Sequence, residues 1–347
     1  EAWAEIYSHD AHALIPPVYV DDGPVFENIQ TGDDVNVLDF PAPLWHEGDG
    51  GRYIGTGSFN VTRDPDTGWI NVGTYRVMIH DAKRVGIYMS PGKHGRIHRD
   101  KYMARDEPMP VCVVIGGDLM AFLMGCTEIP LGQCEYDVLG GYRGKAIACV
   151  RGKHTGLPFP ANAEIVLEGF VGPGNLKEEG PFGEWTGYYG SLMRAEPVLD
   201  IKAIYHRNDP ILLGCPPLRP PDELARYRAV TRSAALKQNI AKAGVPDVTA
   251  VWAHEVGGAA QDTAPFGAGH RGPSSLRVPR GGDGFLDDLR RGGIDGRDDL
   301  ARGRIDHLDR GAVGIFDIFA VDEMAGDGLR LHRSLFSVGP RPYGGAA

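Results

Sequence analysis

The chain has 347 residues, enough for two domains with substantial cores. Its 42% hydrophobic and 24% charged content is ordinary for a globular protein, and a net charge of −10 argues against a nucleic-acid partner. No apolar run reaches membrane-span length, no signal peptide is visible, and the five scattered cysteines (Cys112, Cys126, Cys134, Cys149, Cys215) form no CxxC pair, which predicts a reduced, soluble, cytoplasmic protein.

Glu1 opens the chain where Met is usual, which reads as a fragment. Residues 1–35 read as a short helical piece, then Pro16-Pro17, an extended Val18-Tyr19-Val20 and a turn at Asp21-Asp22-Gly23-Pro24. Trp45 to Gly57 is Gly-rich and reads as loop. Trp69 to His80 reads as one strand, because Ile70, Val72, Thr74, Tyr75, Val77 and Ile79 suit a pleated, half-buried surface. A regular strand would point Asn71 and Arg76 to opposite faces; a bulge at Gly73 would bring them to one site. Val85 to Met89 is the next strand. The basic turn Ser90-Pro91-Gly92-Lys93-His94-Gly95-Arg96 can offer N–H groups and cations to a phosphate, or can be a solvated loop. A helix at Met103-Ala104, a buried strand at Val111 to Ile115 and an apolar segment at Leu119 to Met124 follow. Residues 126–143 read as loop then helix, with Glu135 at the junction.

From Ala146 to Tyr205 the pattern is strand and turn. Asn208-Asp209-Pro210 signals a hairpin into Ile211-Leu212-Leu213. Within that region, Glu179-Gly180-Pro181-Phe182-Gly183-Glu184 sets two acids five apart on a segment that cannot be helix interior. Paired carboxylates on a bend suit proton transfer; the same residues also read as a solvated acidic turn. Pro220-Pro221-Asp222-Glu223 opens a helix capped by Asp222 and ended by Gly244 and Pro246, and Val248 to His254 is a strand. From Val256 onward there is no Lys, Cys, Trp or Asn, with Arg/Asp clusters such as Asp287-Asp288-Leu289-Arg290-Arg291 and no apolar period before Val313 to Val321. A flexible Gly/Arg/Asp-rich tail and an altered reading frame in a GC-rich gene both give such a bias, and the second is preferred.

The fold class expected is α+β. The segments are an N-terminal α/β segment (1–59), a β-rich barrel-like domain (60–215), a linker helix with the start of an α/β domain (216–255) and the atypical tail (256–347).

Asn71-Val72-Gly73-Thr74-Tyr75-Arg76, Pro91-Gly92-Lys93-His94, Glu135 and the Glu179 to Glu184 segment resemble, in order and spacing, the UbiD family of carboxy-lyases that use prenylated flavin mononucleotide. The resemblance covers roughly residues 15–255. It implies a split-barrel-like flavin-binding domain and reversible decarboxylation of an aromatic, heteroaromatic or α,β-unsaturated carboxylic acid, with CO2 as co-product. Arg76 and Glu179 are implied as an ion pair beside the flavin and Glu184 as proton donor, which needs a drier setting that Phe182 and Trp185 could supply. Asn71, His94 and Glu135 are implied as ligands of Mn2+, with K+ nearby, and Thr74, Tyr75, Cys126 and Thr127 as cofactor contacts. A flavin prenyltransferase as cofactor supplier and a homodimer or higher homo-oligomer are also implied. The family's C-terminal α/β domain supplies a further cofactor-contacting lysine, and here no lysine follows Lys242. A subunit of a multi-component carboxylase and a non-catalytic remnant are the alternative readings.

Overall fold

A computed structural model describes residues 14–127, 129–184, 189, 191–218, 222–243, 248–253, 314–325 and 328–338. Two compact units are formed, one over Ser8–Leu224 and one dominated by residues from Ala225 onward. The predicted N-terminal helical piece, the Gly244 to Pro246 helix stop and the Arg/Asp clusters lie outside the described residues.

In the first unit the strands are β1 (Val18–Tyr19), β2 (Asn28–Thr31), β3 (Tyr53–Gly55), β4 (Ser58–Arg63), β5 (Ile70–Gly73), β6 (Val77–Asp81), β7 (Arg84–Ile87), β8 (Met109–Ile115), β9 (Ala148–Arg151), β10 (Pro158–Pro160), β11 (Ile165–Glu179) and β12 (Arg194–His206). Helices α1 (His94–Ala104), α2 (Leu119–Gly125) and α3 (Glu135–Arg143) lie between β7 and β9. The main sheet runs β3-β6-β7-β12-β11-β8-β4-β5, with β2 also on β12, and every pairing in it is antiparallel. In that order β6 and β5 stand six strand spacings apart, about 29 Å if the sheet were flat. Yet only Thr74-Tyr75-Arg76 separates Gly73 from Val77, a link reaching about 14 Å at most. The sheet therefore curls until its two ends meet, the barrel-like form expected from the β-rich stretch.

Alternation along the strands divides the core. Val111, Val113 and Ile115 face a cluster with Val77, Ile87, Ile165, Leu167 and Leu199. Cys112 and Val114 face another with Phe122, Tyr136 and Leu139 from α2 and α3. β8 is buried along its whole length, which is why it reads as an unbroken apolar run. Asp118 caps α2, its Oδ1 accepting from Met120 N at 3.0 Å.

Three local expectations are corrected. Trp69 to His80 is two strands, not one with a bulge: β5 stops at Gly73, where a Cβ would lie 2.5 Å from Tyr75 Oη. Trp45 to Gly57 contains β3. Residues 211–213 form no strand, because β2 already occupies the free edge of β12 opposite Ala203 to His206; the Ile211 N–H instead donates to Glu164 Oε2 at 3.0 Å.

Helix α4 (Glu223–Lys242) begins where Leu224 N donates to Asp222 Oδ1, the predicted cap, and belongs to the second unit from Ala225 on. The Ala253 N–H of β13 (Val248–Ala253) donates to Ser233 Oγ of α4 at 2.8 Å. β14 (Gly314–Ala325) and β15 (Gly328–Val338) pair antiparallel, with β14 on β13, so part of the atypical tail is ordered as sheet. No helix among the described residues is long and apolar enough to cross a membrane.

Candidate active site

The acidic bend leaves β11 at Glu179 and packs on the loop before β3. The Gly50 N–H donates to Pro181 O at 2.8 Å, and the Gly183 N–H to Asp49 Oδ1 at 2.8 Å. Neither glycine can be larger, since a Cβ on Gly50 would overlap the Gly180 carbonyl and one on Gly183 would lie 2.5 Å from His46 Nδ1. The bend includes a cis Gly180-Pro181 bond. Phe182 is buried against Tyr53 with ring centroids 4.2 Å apart.

Arg76, released from β5 at the three-residue link, reaches this bend. Its Nε and Nη2 donate to the two oxygens of Glu179 at 2.8 and 2.9 Å, and Nη1 donates to Glu184 Oε1 at 3.1 Å. The Tyr53 hydroxyl adds a third hydrogen bond to Glu179 at 2.8 Å. Glu179 is wholly buried and Arg76 is 11% exposed, whereas Glu184 is 28% exposed. The guanidinium also stacks over Tyr88 and Phe182, at 4.5 and 5.3 Å from their centroids. Burial opposes the Arg76 charge, but the Glu179 carboxylate outweighs it and holds the guanidinium above its ordinary pKa. Burial first, then Glu179, pushes the Tyr53 hydroxyl up. One arginine thus bridges a sealed carboxylate and an open one. This differs from the dry surroundings expected for Glu184, whose carboxylate meets both Arg76 and solvent. Trp185 lies outside the described residues.

The other predicted residues gather on the same short segment. Glu135, at the start of α3, is buried, and its Oε2 accepts from Val72 N at 2.7 Å. His94 opens α1, where the next residue's N–H (Gly95) donates to Tyr75 Oη at 2.9 Å. The Tyr75 hydroxyl is pushed up to about 12 by burial, partly offset by that N–H and the side chain of Asn71. Thr74 Oγ1 donates to Gly125 O at 3.5 Å, which sets Cys126 and Thr127, at the end of α2, beside the link. Glu135, Glu179 and Glu184 thus bond to residues 71–76 directly, and His94 and Cys126 each adjoin a glycine that does.

Among the described residues no group of three or more His, Cys, Asp or Glu side chains could hold a metal ion. The expected set has only two of these types, with Asn71 third, and its chemistry fits a hard divalent ion: amide oxygen, imidazole nitrogen and carboxylate. Burial pushes Glu135 up to about 8, against the opposing pull of the Val72 N–H, and a divalent ion beside it would favour its charged form.

Sequence reasoning missed Tyr53 and Asp49, since Trp45 to Gly57 read as loop and neither residue stands in a motif. Asp49 is held by the His46 N–H at 2.9 Å and fixes the bend through Gly183.

Pyrrole-2-carboxylic acid decarboxylase of Pseudomonas aeruginosa is 34% identical over 238 residues, 69% of this chain and 48% of that protein. An uncharacterized protein of Aquifex aeolicus is 35% identical over 60% of this chain and 42% of its own length, so the chain spans about half the length of the curated relatives it matches. Among solved structures, an evolved dimeric form of the UbiD-class enzyme HmfF from Pelotomaculum thermopropionicum in complex with prFMN superposes with TM-score 0.68 at 29% identity, over 74% of this chain and 59% of that one. Sedimentibacter hydroxybenzoicus vanillic acid decarboxylase in closed form gives 0.64 at 31% identity, over 73% and 54%. The family model for the UbiD 3-octaprenyl-4-hydroxybenzoate carboxy-lyase Rift-related domain matches residues 18–220, more than half of the chain and the stretch that holds the curled sheet and the Arg76 bridge, so the chain belongs to the UbiD family.

Proposed function

We propose that the protein is a decarboxylase of an aromatic, heteroaromatic or α,β-unsaturated carboxylic acid, using prenylated FMN with Mn2+ and K+. The observation that carries this reading is the Arg76 fork, which ties one buried and one open carboxylate to a single cation. The similarity to decarboxylases of pyrrole-2-carboxylic and vanillic acid supports the substrate class. Prenylated FMN, when bound, supplies the electron sink for loss of CO2.

The protein's own residues do the rest. Glu179 accepts three hydrogen bonds and fixes the Arg76 plane. Arg76 presents Nη1 to Glu184 and to the incoming carboxylate. Glu184, with solvent access, takes up a proton and delivers it to the carbon that has lost CO2. Asn71, His94 and Glu135 would hold the divalent ion. Association as a homo-oligomer and supply of the cofactor by a prenyltransferase complete the reading.

The test is to load the full chain with prenylated FMN and Mn2+, record the retained chromophore and measure CO2 release from aromatic and heteroaromatic acids. The parent should release CO2, and Glu184→Gln should keep the chromophore but lose turnover. Equal rates for the two would remove Glu184 from the mechanism. The second reading, a non-catalytic remnant, is favoured by one observation, the lysine-free sequence after Lys242. A parent that retains no chromophore would select it.

A further inference from the structure

A buried polar chain runs from Asn71 on β5 through Thr62 on β4 to His98 on α1, and nothing in the mechanism above uses Thr62 or His98. Asn71 on β5 and Thr62 on β4 are cross-strand partners in register, so their side chains share a face. Asn71 Nδ2 donates to Thr62 Oγ1 at 3.4 Å. Thr62 Oγ1 lies 2.9 Å from Nδ1 of His98, which is wholly buried on α1 one turn after His94. On the far side of the ring, Nε2 has no hydrogen-bond partner and lies 3.8 Å from Asp64 Oδ2. Asp64 is fixed by Lys101 Nζ at 2.5 Å and by the Asp66 N–H at 2.8 Å. Trp69 makes T-shaped contacts with both histidine rings, with centroids 5.0 Å away for His94 and 4.9 Å for His98.

The charge on Asp64 gives this chain a direction. A ring nitrogen facing a carboxylate is favourable when it bears hydrogen and repulsive when it presents a lone pair. His98 therefore carries its hydrogen on Nε2, and Nδ1 is an acceptor. Thr62 must then spend its one O–H on Nδ1, which leaves its oxygen to accept from the Asn71 amide. The reverse direction would put the His98 lone pair against Asp64 and the Asn71 carbonyl against Thr62. Burial holds His98 low, at about 4, in keeping with a neutral ring.

We propose that Asp64, His98 and Thr62 are positioning residues that turn the Asn71 amide so that its carbonyl oxygen, not its nitrogen, faces the metal position. An amide has no intrinsic preference between its two ends, and only the oxygen can ligate. The proposal rests on the reading of Asn71 as a ligand, and the test separates the two.

Two measurements on the full chain test it. The first is 15N NMR of His98 in the parent, which should report Nε2–H; an Nδ1–H tautomer overturns the relay whatever the metal does. The second is Mn2+ binding in the presence of FMN, followed by electron paramagnetic resonance. Thr62→Val should weaken binding by roughly tenfold to a hundredfold, the usual effect of losing an outer hydrogen bond to a ligand, and Thr62→Ser should restore it. Equal affinity in Thr62→Val and the parent, with Asn71→Ala weakened, overturns the relay, as does a loss that Thr62→Ser fails to restore. If Asn71→Ala binds Mn2+ like the parent, the ligand reading fails instead, and the tautomer alone decides the relay.

Discussion

Glu179→Gln isolates the sealed half of the Arg76 bridge. The parent carboxylate is wholly buried and accepts from Arg76 Nε, Arg76 Nη2 and the Tyr53 hydroxyl at 2.8, 2.9 and 2.8 Å. A glutamine offers one oxygen, and its amide nitrogen turns a donor toward the guanidinium or the hydroxyl. Arg76, only 11% exposed, keeps one charged partner, Glu184, which is 28% exposed. Breaking one side of a buried pair costs about 3–5 kcal/mol, and the surviving contact to Glu184 places this case near the lower figure. For a unit of this size each kcal/mol moves the melting temperature by about 2–4 °C, so a fall of about 6–12 °C is expected. Thermal unfolding by circular dichroism at neutral pH measures it. The double variant Arg76→Met, Glu179→Met leaves no charge stranded at the two sealed positions, while Glu184 keeps its solvent access, and it should recover most of the loss. A Glu179→Gln protein melting within about 2 °C of the parent would refute the argument that this pair is desolvated and interdependent.

Tyr53→Phe removes a single hydrogen bond to a charged acceptor and should cost about 1.5–3 kcal/mol in urea unfolding, with the Arg76 fork intact. Gly50→Ala should displace the acidic bend, since the added methyl meets the Gly180 carbonyl, a backbone group; turnover should fall more than stability, and unchanged kcat would contradict the packing. Burial holds the His98 imidazole low, at about 4, against an ordinary 6.5, so the unfolded chain binds more protons between those values. Stability contributed by neutral His98 is full above about pH 6.5 and is lost as pH falls toward 4. His98→Gln should flatten that acid limb, measured as melting temperature against pH.

The legible parts of this chain were those whose pattern is local. Val111 to Ile115 reads as a buried strand because both faces of β8 are covered, and the barrel-like sheet follows from such runs. The motifs around Asn71, His94, Glu135 and Glu179 to Glu184 were visible as spacing; the contacts that several of them make with residues 71–76 are a consequence of the fold. What local pattern hides is non-local pairing. Trp69 to His80 has strand composition throughout, yet its two halves belong to opposite ends of the sheet order. The hairpin signal at Asn208-Asp209-Pro210 is overridden because β2, some 180 residues away in sequence, holds the edge it would need. Tyr53 and Asp49 left no trace, since a tyrosine and an aspartate in a glycine-rich stretch are compatible with any exposed loop, and only the bend packing on them gives them a role.

The break at Thr74-Tyr75-Arg76 then explains why the two halves of the site occur together. The link closes the sheet, and closure leaves no slack in its path. On one side, β5 presents Asn71 and the Val72 N–H that holds Glu135. On the other, Arg76 enters β6 already forked onto Glu179. Between them Tyr75 folds over Gly73 and receives the Gly95 N–H beside His94. A shift of Asn71 along β5 would have to pass through Thr74-Tyr75 into the arginine that bridges Glu179 and Glu184. On the proposed reading, the residues offered as metal ligands and the Glu179 and Glu184 carboxylates are therefore tied to one covalent segment at the seam of the barrel, through Val72, Tyr75 and Arg76.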